Sequence, residues 1–381
     1  MDCQPDNADK QRVWALYRAG RPERVPVALR TNDRVYMLDP RFNREGITYR
    51  DLFRDAQLML TAQLRWQHLV RTHFNRYCDQ PAGLPDRWQV GAFLHNTYEA
   101  WAFGCPLRLE ADQAPDTAPR YTGKHKRAVF DVDIDDPLQL PSFRRAIQLT
   151  EQMTELARHL EFEGRPVEVL PYLQTVSDGP VTVALNIRGA EFLSDLLDDP
   201  DYADHLLAFI TQAAVNRAQA LLRYWGRELT GELWLADDSI ITLSTEMYRA
   251  RVLPLHKRFY DSLDPDHQVT RVFHLCGKAA RFYPLVVKEC GVTSLDTGFP
   301  LDHAWLRQQV GPRVEIYGGV EVGLLLKGAP EQVTARAREI LLSGVRAGGR
   351  FVLTEANNLP PGVPEENLAA MYRASLEFGR Y

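Results

Sequence analysis

The chain has 381 residues, 45% of them hydrophobic, enough to bury a large core as one big barrel or as two domains. Its 45 basic residues nearly balance its 50 acidic ones, which leaves neither a nucleic-acid footprint nor a polybasic membrane patch. Five irregularly spaced cysteines argue against a disulfide framework, and no run of about 18 apolar residues or apolar signal core is present, so a soluble, cytoplasmic protein is expected.

Residues 8–19 carry Val13, Leu16 and Tyr17 at helical spacing and stop at Gly20, which predicts an N-terminal helical extension. The strand-like VPVAL that follows is trailed by Arg30 and Arg34. Two guanidiniums just past a strand suit bidentate capture of a carboxylate or phosphate, with solvated loop charges as the plainer alternative. Residues 49–75 have a helical pattern. A short strand, WQVGAF, leads into LHNTYEAWAFG, where His95 and Glu99 stand four apart on one helical face, a spacing that fits a metal pair or a surface ion pair. Residues 111–142 are rich in Pro, Asp and Lys and lack periodicity, so an irregular excursion or lid at a barrel mouth is expected there.

A long amphipathic helix, PSFRRAIQLTEQMTELARHLEF, then precedes the strand VEVLPYLQT. Gly179-Pro180 marks a strand-to-helix turn, and Asp199-Pro200 breaks the helical stretch after it. The strand GELWLADDS ends on Asp237, Asp238 and Ser239, polar residues placed for function unless one of them caps a helix. Residues 269–299 form one βαβ unit: a strand ending in His274 and Cys276, a turn at Gly277, a helix to about Glu289, and a second strand ending at Asp296. Because strand side chains alternate, His274 and Cys276 share a face, which suits two metal ligands or a buried cysteine beside a hydrogen-bonded histidine. Later strands end near Glu321 and at Glu355, Asn357 and Asn358. Strands alternating with helices imply an α/β fold with a parallel sheet, and at this length a single TIM (β/α)8 barrel with its chemistry at the C-terminal strand ends.

The series GPVTVALNIRG, LADDS, FHLCGK, IYGGVEVGLLLKGAPEQV and GGRFVLTEANNLPPGVPEENLAAMYRASLEFG resembles the uroporphyrinogen decarboxylase superfamily, which also contains cobamide-dependent methyltransferases. The resemblance spans nearly the whole chain and implies one barrel domain over residues 1–381 and a homodimer. In the decarboxylase branch, Arg30 and Arg34 match arginines that hold substrate carboxylates. Its catalytic aspartate, however, falls at His95, its tyrosine at Asn186, its serine near Asp238 and its histidine at Asn357 or Asn358, which argues against porphyrinogen decarboxylation. In the methyltransferase branch a zinc ion is held by a His-x-Cys pair, matched by His274 and Cys276, and a later cysteine, which here falls at Asn357. The resemblance therefore implies that Glu355 or Asp238 completes the metal shell, with Asp237 among the acidic catalytic positions and Tyr36, Asn357 and Asn358 orienting the substrate. The reaction implied is methyl transfer between a small anionic substrate and a corrinoid or thiol, the corrinoid riding on a separate carrier protein because this chain has no Asp-x-His-x-x-Gly motif. The alternatives are a carboxy-lyase anchored by Arg30 and Arg34, and a non-catalytic tetrapyrrole-binding protein.

Overall fold

The computed structural model describes residues 6–381. Seven strands of three or more residues are β1 (Trp88–Val90), β2 (Arg165–Val169), β3 (Glu232–Ala236), β4 (Thr270–Leu275), β5 (Ser294–Thr297), β6 (Glu315–Glu321) and β7 (Phe351–Ala356). The last five form an all-parallel sheet in the spatial order β7-β6-β5-β4-β3. Isolated parallel bridges extend both edges, Val27 to Leu353 on one side and Ser177 to Leu235 on the other. Strands β1 and β2 pair in parallel as a separate unit. The expected α/β architecture with a parallel sheet is thus present; between the Val27 segment and β1 the wall is not joined by strand pairing.

Burial explains the composition of these strands. Every residue of β5 and β7 is buried, so neither alternates: β7 opens as the apolar run FVL, while β5 buries Ser294, Asp296 and Thr297 beside Leu295. Helices such as Leu253–Leu263, Tyr283–Cys290 and Pro330–Leu342 make the crossovers between parallel neighbours. Gly291 closes Tyr283–Cys290 in the left-handed conformation at φ 65°, where a side chain would be strained. The N-terminal helix Asn7–Arg18 starts on an Asp6 cap and is pinned by Lys10, whose buried ammonium donates to the carbonyls of Asn75 and Gln80.

Two expectations need correction. Residues 95–104 are not one helix: His95 has φ 52° and Asn96 is non-helical, so only Tyr98–Ala102 is α-helical and His95 leaves the face that carries Glu99. The helix beginning at Pro141 ends at Ala157, and Glu161–Phe162 turns back as a hairpin on β2. Residues 111–142 do not line the large cavity described below. They pack on the helices Glu191–Asp198 and Pro200–Tyr224: Lys126 pairs with Asp195 and Asp199, Phe130 stacks on His205, and Asn216 donates to Ile134.

Candidate active site

A cavity of about 900 Å³ is lined by residues from the C-terminal ends of the parallel strands. Asp238 follows β3, His274 lies near the end of β4 and Cys276 just after it, Asp296 lies in β5, Tyr317 in β6, and Asn357 and Asn358 follow β7. A parallel sheet collects these distant residues because all its strands end on the same side. Close approach of the loops depends on small residues. A Cβ at Gly298 would stand 2.7 Å from the Cα of Cys276, so a side chain there would displace the Cys276 backbone.

At the centre, His274 Nδ1 meets Asp296 Oδ2 at 2.9 Å while its Nε2 lies 3.2 Å from Cys276 Sγ. Asp238 Oδ1 accepts the backbone N–H of Cys276 at 2.6 Å and lies 3.8 Å from His274 Nε2. The donor atoms offered by Asp238, His274 and Cys276 all fall within 4.8 Å of one another. One oxygen, one nitrogen and one sulfur donor facing a cavity are donor types that zinc accepts, and three protein ligands would leave a position open. Asp296 behind His274 supplies the carboxylate partner that fixes the imidazole's orientation in such sites. Burial opposes an imidazolium here, but Asp296 and Cys276 outweigh it and hold His274 well above its usual value. For Asp296, burial favours the neutral acid, and Arg30 and His274 overcome this to keep it below the ordinary carboxylate range.

Of the two arginines, Arg30 is already engaged. Its Nε lies 3.2 Å from Asp296 Oδ1, and its guanidinium stands 4.4 Å from the Tyr317 ring centroid and 5.1 Å from that of Trp234. Arg34 lines the same cavity, is steadied by Asn32 Oδ1 at 3.1 Å, and makes no ion pair among the described residues. Asn357 sits at φ 122°, and its Oδ1 accepts the backbone N–H of Asn358 at 2.7 Å.

The other expected site residues lie elsewhere. Glu355 does not join the donor cluster; its Oε1 accepts the Arg30 backbone N–H at 2.6 Å, so Asp238 takes the third place instead. Asp237 is fully buried: its carboxylate accepts the backbone N–H groups of Val181 and Thr182 in the first turn of the helix Pro180–Arg188 and meets His256 Nε2, and it is absent from the cavity lining. His95 is buried against Asp33 at 3.0 Å and the Tyr49 ring, outside the cavity lining. Asn186 lies in Pro180–Arg188 away from that lining, and Tyr36 is buried in a core cluster where its hydroxyl meets Arg65. Asp178, Trp234 and Tyr317 line the cavity and were not singled out in the sequence. For Asp178 the available signal was its place beside the Gly-Pro turn.

Glu355 yields a test of its own. Burial pushes its carboxyl from an ordinary 4.5 up to about 8. Between those values the unfolded chain is ionised while the folded one keeps its proton, so this residue's contribution to stability falls as pH rises from 4.5 to 8 and is constant outside that window. Denaturant titrations should therefore show a smaller loss of stability over that range in Glu355→Gln than in the wild type.

The family model described as uroporphyrinogen decarboxylase (URO-D) matches residues 8–378. The chain belongs to the uroporphyrinogen decarboxylase family. Within that family, a methylated-thiol–coenzyme M methyltransferase of Methanosarcina mazei is 30% identical over 285 residues, 73% of this chain and 70% of that protein. A uroporphyrinogen decarboxylase of Parasynechococcus marenigrum is 24% identical over 231 residues, 60% of each chain. Among solved structures, a methyltransferase from Methanosarcina mazei superposes with a TM-score of 0.65 at 19% identity, covering 97% of this chain and 98% of its own, which shows a shared fold. These relatives place the protein with the methyltransferase-like branch, as the His-x-Cys pair implied, and support an enzyme of that type. No helix among the described residues is long and apolar enough to cross a membrane.

Proposed function

We propose that this protein moves a methyl group between a small, anion-ended thiol or thioether and a corrinoid on a separate carrier protein, at the site formed by Asp238, His274 and Cys276. The observation that carries the reading is the convergence of three unlike donors within 4.8 Å at the wall of a cavity. A zinc ion held by Asp238, His274 and Cys276 would act as a Lewis acid that lowers the pKa of a substrate thiol. The chain's own residues do the rest. Asp296 orients His274, Arg30 neutralises Asp296 from behind, and the stacking of Arg30 on Tyr317 holds that pair in place. Arg34 receives the substrate's anionic end, while Asn357 and Asn358 offer amide hydrogen bonds beside it. Trp66 and Trp234 give the cavity apolar wall that displaces water from the methyl carbon. This reading takes the seven strands together with the Val27 segment as the eight-membered wall of one barrel. A carboxy-lyase that uses both arginines on substrate carboxylates is less well supported, because Arg30 is paired with Asp296.

The assay is methyl transfer from 3-(methylthio)propionate to cob(I)alamin, followed by the visible spectrum of the corrinoid. Transfer that depends on the protein is expected; its absence for this donor and for its shorter and longer homologues would count against the assignment. Arg34→Ala should raise KM for this donor about 10-fold or more and leave kcat within a few-fold, since a charge-assisted hydrogen bond contributes about 1.5–3 kcal/mol.

A further inference from the structure

One carboxyl of the cavity has no part in the assignment above. Asp178 follows Ser177, whose bridge to Leu235 joins it to β3, and precedes Gly179, the N-cap of the helix Pro180–Arg188. The turn is pressed against the strand end that carries Asp237 and Asp238: a Cβ at Gly179 would stand 2.4 Å from Asp237 Cβ and 2.5 Å from the Ala236 carbonyl oxygen. Beneath it, Glu99 Oε2 accepts the Asp178 backbone N–H at 2.8 Å, and Glu99 Oε1 accepts Ser177 Oγ at 2.9 Å and Arg217 Nη1 at 2.7 Å. The backbone of Asp178 is therefore fixed. Its side chain is not satisfied, for it lines the cavity and its Oδ2 is buried with no hydrogen-bond partner. A buried carboxylate oxygen without a donor is costly, whereas a neutral carboxyl facing a ligand is not.

We propose that Asp178 touches the substrate and gives a proton to the heteroatom from which the methyl group departs. The proposal rests on the methyl-transfer reading. In this step the bond from methyl carbon to heteroatom breaks and its electron pair stays on the heteroatom. The methyl carbon passes to a nucleophilic acceptor, a reduced corrinoid. The O–H bond of Asp178 supplies the proton, so the product leaves as a neutral thiol, and the carboxylate regains a proton from solvent. The surroundings favour a proton on Asp178 beforehand: burial contributes most and Glu99 next, while Arg217 opposes, and the carboxyl is held above its usual range. Tyr98 and Tyr172, whose hydroxyls feel the Asp178 charge, are themselves held neutral chiefly by burial. A carboxylic acid kept protonated at neutral pH by an apolar pocket is a known route to a hydrogen-bond donor in an active site.

Two measurements on the holoenzyme decide it. Infrared difference spectra of wild type against Asp178→Asn at pH 7 are expected to show a carboxylic-acid C=O band that the variant lacks and that shifts when 3-(methylthio)propionate is added. The kcat of Asp178→Asn should fall by about 10²-fold or more on that alkyl donor and far less on 4-nitrothioanisole, whose thiolate leaves without a proton. Asp178→Ser serves the same comparison should Asp178→Asn fold poorly. Absence of the band in the wild type, a band indifferent to the donor, or equal losses on both donors in an active enzyme overturns the role of Asp178 alone. A wild type that demethylates neither donor overturns the transferase reading, and the proton donation falls with it.

Discussion

Cys276→Ser is expected to lower kcat/KM for methyl transfer by at least about 10²-fold, with little change in melting temperature. Loss of a residue that merely supports a metal ligand typically costs about 10–100-fold, and loss of a ligand itself should cost no less. The effect should be confined to chemistry because Cys276 is only half-buried and lies outside the core clusters, unlike Cys78, Cys105 and Cys290. Its Sγ faces His274 Nε2 at 3.2 Å, and its backbone N–H, which a serine keeps, holds Asp238 Oδ1 at 2.6 Å. The hydroxyl of serine is a poorer zinc donor than a thiolate, since soft sulfur favours this metal. Parallel kinetics and thermal melts check the separation. Near-normal turnover in a folded Cys276→Ser protein would remove the sulfur from the account.

The second large effect concerns stability. Arg217→Leu is expected to destabilise the protein by about 3–5 kcal/mol, because it leaves Glu99 as an uncompensated buried charge. Arg217 and Glu99 have only 2% and 4% of their side chains exposed and meet at 2.7 Å. Arg217 also donates to the carbonyls of Gln174 and Val176, the stretch that leads into the Ser177–Asp178 turn. The variant should therefore lose part of the site's order along with its stability. Adding Glu99→Gln should recover part of the loss by removing the stranded charge. Urea midpoints for both singles and the double variant test this, and a single-variant loss below about 1 kcal/mol, the value of an exposed pair, would refute the buried-pair account.

What the sequence revealed follows the range of each interaction. His274 and Cys276 were legible as a pair because strand alternation is local and puts residues two apart on one face. The α/β alternation was equally legible from the apolar runs, and the helix ends marked by Gly20, Gly179-Pro180 and Asp199-Pro200 fall there in the fold. The division of labour between Asp237 and Asp238 was not legible. It depends on His256 and on the turn at Gly179, which reaches Asp237 only in the folded chain. The resemblance offered Glu355 as a ligand in place of the missing later cysteine, yet its oxygen is taken by the backbone of Arg30, 325 residues earlier. Arg30 and Arg34 look equivalent in the sequence, but in the fold Asp296 lies 3.2 Å from Arg30. The error at His95 has a backbone origin, since a spacing of four places residues on one face only within a continuous helix, and φ 52° at His95 keeps it outside the helix that begins at Tyr98.

Elemental analysis of protein purified without chelators tests the central claim most directly. About one zinc per chain is expected in the wild type, with sharp loss in Cys276→Ser, His274→Ala and Asp238→Ala and retention in Glu355→Gln. A folded wild type that neither carries nor takes up a stoichiometric divalent metal, or one that keeps it after all three ligand substitutions, would contradict the metal-assisted site.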